Sequence, residues 1–384
     1  MSTPSQERFS LSALLSQALV AFTIEFDNEF EHQTPHCTTQ FGGPPGIKRI
    51  DAPWLVSMVM WVWILRFVPP AGIAVAELQR LARTSTKQIE GWLTRLSHWW
   101  GYVRIEGKGS SGRLPPSAIV RPTAGGSKAI AVWRDLASLI EDRWIKRFGL
   151  ATIKDLCASL GAVAAQLDPV LPSHLPILGY GLGCRLPEAE QADTDAPEAW
   201  ESALPALLSK VLLAWAIEFE QASKLALAIY ANVVRLADSN GAPLRDLPRV
   251  SGVSDEAIAT ATKFLVSRGL ATIETRTIQS QAETEAKSKA KRVKVFALTA
   301  EGEIAKQACA TLQSSIEDRW SSEYRTQALR SALERVAGKG SNVPSPLLKG
   351  LQPYCDNWRA SVPAPAMLPH FPMVLHRGGF PDGS

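Results

Sequence analysis

Residues 11–26, LSALLSQALVAFTIEF, return as residues 204–219, LPALLSKVLLAWAIEF, displaced by 193 (Glu25 to Glu218) and identical at ten of sixteen positions. Residues 140–144, IEDRW, return as residues 316–320, displaced by 176 (Glu141 to Glu317). Both segments recur in the same order. The spacing far exceeds the roughly 20–50 residues of a solenoid unit, so the repeated object is a domain. With 384 residues available, the repeat predicts an N-terminal domain over 8–184 and a C-terminal domain over 204–384, each with room for its own core. The linker between them, 185–203, is acidic, alanine-rich and aperiodic at least to residue 198. Two similar domains in one chain imply a fused pseudo-dimer.

A hydrophobic content of 46% with 20% charged residues and a mean hydropathy of −0.02 belong to a soluble globular protein rather than a membrane protein. The longest apolar run, Trp54 to Val68, is interrupted by Arg66 and stopped by Pro69 and Pro70, short of the roughly 18 residues a membrane span needs. Residues 11–22 run directly into charged residues with no small-residue cleavage site, which predicts no signal peptide and a cytoplasmic location. Five scattered cysteines fit free thiols in a reducing compartment. His32, His36 and Cys37 crowd together, but Pro35 breaks the helical register a metal pair would use. No metal or cofactor is expected. A net charge of +4 with a pI near 8.8 permits nucleic-acid binding without requiring it.

The first segment of each copy carries apolar residues at i, i+3, i+4 and i+7, the stripe of an amphipathic helix. Residues 54–67 and 224–236 are apolar nearly all round and predict buried helices. Only the first copy has the glycine- and proline-rich loop of residues 32–53. Next comes a helix from Ile73 to Arg83, a turn at Thr84 and Ser85 with a good N-cap, and a second helix over 86–96. A strand begins at Gly101, a wing spans 106–113, and a return strand covers 117–123. The second copy repeats the plan with a helix at 244–250, a turn at 251–254, a helix through Ile258 and Leu265, a strand from Gly269, a wing over 287–294 and a return strand at 293–299. This order is a helix-turn-helix followed by a wing. The fold class expected is mainly α with small β-wings. A long helix follows each wing, through Trp144 and Trp320.

Thr123-Ala-Gly-Gly126 and Thr299-Ala-Glu-Gly302, each closing a wing and opening a long helix, resemble the end-of-wing signature of the multiple antibiotic resistance regulator (MarR) family. Each copy in its order of elements resembles one MarR-type winged-helix subunit. The resemblance implies a DNA-binding transcriptional regulator whose recognition helices enter successive major grooves, with double-stranded DNA as partner and a small aromatic molecule as effector. The tandem fusion, the 32–53 loop and the proline-rich ends of both copies depart from that pattern.

Base and phosphate contacts call for polar and cationic side chains on the second helix and basic residues on the wing. The first copy supplies Thr84, Ser85, Thr86, Lys87, Gln88 and Arg95, with Lys108 and Arg113 on the wing. The second supplies Ser254 and Lys263, with Lys287, Lys289, Lys291, Arg292 and Lys294 on the wing, but it opens its helix with Asp255 and Glu256. The expectation is asymmetric, with bases read by the first copy and backbone gripped by the second. Trp61, Trp63, Arg66 and Phe67 have two readings, an effector cleft or ordinary core aromatics with Arg66 capping its helix. Trp92, Trp99 and Trp100 predict packing between helix and wing. Glu25 and Glu218 hold equivalent places without a nucleophile, metal set or phosphate loop, so no enzyme is expected. The alternative to the regulator is a winged-helix scaffold without DNA binding, acting in protein–protein interaction or small-molecule sensing. The state in solution is a monomeric pseudo-dimer or a homodimer.

Overall fold

The computed structural model describes residues 8–34, 57–82, 84–98, 100–107, 114–167, 171, 199–223, 225, 227–253, 255–278, 291–340, 344–352, 354 and 367–371. Among the described residues the chain is mainly helical with two small antiparallel sheets. Its first half runs α1 (Leu11–Gln33), α2 (Ser57–Trp63), β1 (Ile73–Ala74), α3 (Val75–Leu81), α4 (Thr86–His98), β2 (Val103–Glu106), β3 (Ile119–Pro122), α5 (Ala124–Phe148) and α6 (Leu150–Ala164). Its second half runs α7 (Leu204–Ala222), α8 (Leu227–Val234), β4 (Ala242–Pro243), α9 (Leu247–Ser251), α10 (Asp255–Ser267), β5 (Ala271–Ile278), β6 (Lys291–Leu298), α11 (Ala300–Glu323) and α12 (Gln327–Ala337). The strand orders are β1-β3-β2 and β4-β6-β5, so the order of elements and the sheet topology both recur. Among the described residues, no helix is long and apolar enough to cross a membrane.

Each sheet has a third strand where a helix was expected in the first half and no element in the second. Two residues carry no periodicity, so β1 and β4 leave no pattern in the sequence. Gly72 and Gly241 make the turns before them at φ 87° and 81°, a conformation other residues resist. The expected second-half helix at 244–250 is a 3-10 turn, Leu244–Asp246, followed by α9. Residues 65–67, expected to extend the second helix, form a separate 3-10 turn.

The Thr-Ala-x-Gly signature has a mechanical basis. The Thr123 hydroxyl accepts from the Gly126 N–H (3.0 Å) and donates to the Gly101 carbonyl (2.7 Å). Thr299 does the same with Gly302 (3.1 Å) and Gly269 (2.8 Å). Each threonine therefore caps a long helix and ties it to the start of the wing. The glycine three residues on presses against the carbonyl of Tyr102 or Leu270, where a Cβ would collide with backbone oxygen.

The amphipathic reading of α1 is corrected. Every residue of this helix except His32 and Gln33 is buried, because α2, α5, α7 and α12 surround it. Several of its buried polar residues find partners on neighbouring segments. Asp27 accepts from the Ser57 hydroxyl and the Met58 N–H, both at 2.8 Å, and Asn28 donates to the Leu351 carbonyl (3.3 Å).

The expectation of one core per copy is also corrected. A single apolar core runs through both halves, joining Phe22, Ile140, Trp144, Leu208, Trp215, Trp320, Leu329 and Leu333. A smaller separate core holds Val233, Val234, Leu247, Ile258, Ala261, Leu265, Phe296 and Leu298 of the second half alone. The first-half counterparts, such as Ile89, Leu93, Leu96 and Val120, belong to the shared core. Residues 199–202, at the end of the expected linker, form a 3-10 turn; residues 185–198 lie outside the described residues.

The two repeated segments prove to be each other's partners. Trp144 donates its indole N–H to Glu25 (2.9 Å), and Trp320 donates to Glu218 (2.8 Å). The glutamate of IEDRW reaches across the halves. Glu317 accepts from the Leu11 N–H at the start of α1 (3.1 Å), and Glu141 accepts from the Leu204 N–H at the start of α7. Each half thus supplies the carboxylate that satisfies a free amide at the other half's first helix. The two contacts are reciprocal, each running from the long helix of one half to the first helix of the other.

Candidate nucleic-acid interface

Helix α4 buries Ile89, Trp92, Leu93 and Leu96 and exposes Thr86, Lys87, Thr94 and Arg95. Its start is a capping box. The Ser85 hydroxyl accepts from the Gln88 N–H (3.3 Å), while the Gln88 amide oxygen accepts from the Ser85 N–H (3.3 Å) and the Thr84 hydroxyl (3.0 Å). Thr84 is buried. Thr84, Ser85 and Gln88 therefore hold the helix entrance, and Thr86, Lys87 and Arg95 form its outward cationic face. The Arg95 guanidinium lies over the Trp92 ring, 5.8 Å from its centroid. Glu90 and Gly91 lie half-buried on the same side, and a Cβ at Gly91 would meet nothing within 4 Å.

In the second half α10 buries Ala257, Ile258, Ala261, Thr262 and Leu265 and exposes Asp255 and Lys263. Thr262 returns its hydroxyl to the Ile258 carbonyl (2.8 Å). Ser254 lies outside the described residues, as do Lys108, Arg113, Lys287 and Lys289.

Lys291, Arg292 and Lys294 were expected in the loop of the wing and instead lie in β6. Alternation along the strand buries Val293 and Val295 and exposes Arg292 and Lys294. The register sets Thr277 opposite Arg292 and Thr275 opposite Lys294, so one face of the hairpin carries two hydroxyls beside two cations. Among the described residues no carboxylate pairs with either cation. Arg276, on the opposite face, is held by Glu274 (3.2 Å) and by the Asn240 carbonyl.

Trp61 and Trp63 are buried. Trp61 stacks towards Trp133 (6.3 Å between centroids), and Trp63 meets Trp92 edge-on (5.7 Å). Arg66 donates to the Val62 carbonyl (2.8 Å) and lies 4.0 Å from the Phe67 ring centroid. The structure thus brings these four residues into aromatic packing with the end of α2. Trp92 and Trp100 also stack, at 6.1 Å, and Trp99 lies outside the described residues.

The arginines around the repeated glutamates carried no functional expectation. Glu25 takes a two-pronged contact from Arg147 (2.7 and 2.9 Å). Arg143 turns to Glu29 (2.5 Å) and Tyr354 (3.1 Å). Burial pushes the Glu29 carboxyl up, but hydrogen bonds from Gln33, Tyr354 and Arg143 outweigh it and hold the group below its ordinary value. The second half has Ala222 in place of Glu29 and Glu323 in place of Arg147, and there Arg319 pairs with Glu218 directly. These networks fasten helices together. Their only signal in the sequence was the recurrence of both segments. Among the described residues, no group of three or more His, Cys, Asp or Glu side chains could hold a metal ion; His36 and Cys37 lie outside them.

No protein-family model, curated protein or solved structure matches the chain.

Proposed function

We propose that the chain is a DNA-binding transcriptional regulator made of two fused MarR-like winged helix-turn-helix units arranged as a pseudo-dimer. The observation that carries this reading is the outward face of α4, where Lys87, Thr94 and Arg95 stand exposed on a helix whose entrance is fixed by its own capping box. Support comes from the free face of the second hairpin, with Arg292 and Lys294 beside Thr275 and Thr277. In this reading α4 reads base edges and the β5–β6 hairpin grips phosphates. If both recognition helices engage, the half-sites lie about one helical turn, ~34–36 Å, apart.

Binding to selected and random duplexes at two salt concentrations tests the proposal. Lys87→Glu with Arg95→Glu is expected to weaken selective binding by about a hundredfold or more, since each good base contact is worth about 1–3 kcal/mol. Arg292→Glu with Lys294→Glu is expected to weaken all duplexes alike and to flatten the salt dependence by roughly two phosphate contacts. Duplex binding indifferent to all four residues would overturn the reading. The exposed Asp255 at the start of α10 favours a second reading, in which the scaffold serves a protein or small-molecule partner, and that reading stands if no duplex binds.

Gly91 supplies a further check. A glycine inside an exposed helix costs about 0.8–1 kcal/mol relative to alanine, and no internal contact at Gly91 requires one. Gly91→Ala is expected to raise the melting temperature while weakening duplex binding, because the added methyl stands between the helix backbone and an approaching groove. A variant that is more stable and binds equally well removes Gly91 from the interface.

A further inference from the structure

The second half's helix-turn-helix and hairpin pack on their own small core, whereas their first-half counterparts are built into the shared one. Helices α8 and α11 lead from the shared core to this unit. A third connection is the segment Met367–Phe371. Leu368 and Phe371 are buried in the shared core, and the ring of Phe9 meets His370 edge-on at 4.9 Å. On its other side the segment grips the second unit. Asn232 of α8, fully buried, accepts from the backbone N–H groups of His370 (3.1 Å) and Phe371 (3.2 Å) and donates to the Phe371 carbonyl (3.2 Å). The backbone of residues 367–369 also lies so close to Gly252, in the turn between α9 and α10, that a Cβ there would collide with it.

We infer that residues 367–371 are a strap that clamps the second helix-turn-helix unit to the shared core, and that release of the strap frees this unit while leaving the first in place. The chemistry fits a releasable clamp. One side chain accepts two hydrogen bonds from the strap's backbone and donates a third to it, so one amide controls all three. Among the described residues the first half offers no equivalent of Asn232: Trp63 stands at that position and is packed into the shared core.

Hydrogen exchange on the full chain tests the inference without reference to DNA. In Asn232→Ala, amides of α8, α9, α10 and β5 are expected to exchange about tenfold faster or more, while those of α3, α4 and β2 stay within about twofold of the wild type. His370→Ala removes the ring contact with Phe9 but keeps the bonds to Asn232. It is expected to produce a smaller rise in the same segments, and it serves as the readout should Asn232→Ala fail to fold. A synthetic peptide covering residues 365–373, added in excess to the wild type, is expected to raise exchange in those segments by competing for Asn232. Equal acceleration in both halves, or no acceleration in the second unit of either variant, would overturn the inference.

Discussion

Replacing Glu25 with alanine is expected to destabilise the protein by about 3–5 kcal/mol, the usual effect of removing one partner from a buried ion pair. The carboxylate is 2% exposed and takes hydrogen bonds from Trp144 and both terminal nitrogens of Arg147. Alanine leaves the guanidinium and an indole N–H with no acceptor, beneath a turn that admits little water. That turn, Pro346–Gly350, lies flat on the ion pair at Gly350, where a Cβ would strike both Glu25 and Arg147. Glu218→Ala removes the matching bonds in the second half, but there the carboxylate is 25% exposed and its partner Arg319 is 49% exposed. Water takes over part of the lost solvation, so the expected cost is about 1–2 kcal/mol. Urea denaturation of the two variants checks the ranking. Equal costs would mean that the cover over Glu25 contributes nothing.

Gly126→Ala and Gly302→Ala should each destabilise by about 1–3 kcal/mol through overpacking, against the modest gain that alanine brings to a free helix. The added methyl lands on the carbonyl oxygen of Tyr102 or Leu270, and backbone cannot swing aside as a side chain can. The long helix must lift from the wing, which strains the threonine cap beside it. Thr123→Ala and Thr299→Ala remove only the cap and should cost roughly 1 kcal/mol. A glycine variant no worse than its threonine neighbour, measured by thermal denaturation, would remove the close approach as the reason for the signature. Gly302→Ala should act mainly on the small second core, and its unfolding should separate from that of the shared core more readily than in Gly126→Ala.

The parts of this fold that were legible in the sequence are those whose partners are local. Helix α4 announced itself through the spacing of Ile89, Trp92, Leu93 and Leu96. Thr123 and Thr299 marked the starts of the long helices, because a cap and its helix are neighbours in the chain. Helix α1 was misread for the opposite reason. Glu25, Asp27, Asn28 and Glu29 look like a solvent face, but they are covered by Arg147, Ser57, Leu351 and Tyr354, and no periodicity encodes partners so distant. The repeat implied a fused pseudo-dimer with the halves packed through their first and terminal helices, but not that one continuous core would result, because likeness of two segments carries no pattern for the side chains between them. At the candidate interface the polar run Thr84 to Gln88 suited both helix capping and base contact. Only the hydrogen bonds divide it, giving Thr84, Ser85 and Gln88 to the cap and leaving Thr86 and Lys87 outward.

The reciprocal capping of α1 by Glu317 and of α7 by Glu141 also bears on how this protein can change over generations. In a symmetric homodimer every codon change appears twice, so a residue useful on one side must be tolerated on the other. Here a single codon alters one half only, and the partner surface is always present because the chain carries it, whatever the protein concentration. These reciprocal caps have kept their matching residues, while the helices α4 and α10 have parted company. In the repeat Lys87 aligns with Glu256, and the exposed Arg95 aligns with the half-buried Phe264. A mutation that sharpened one face would leave the other free to take up different work.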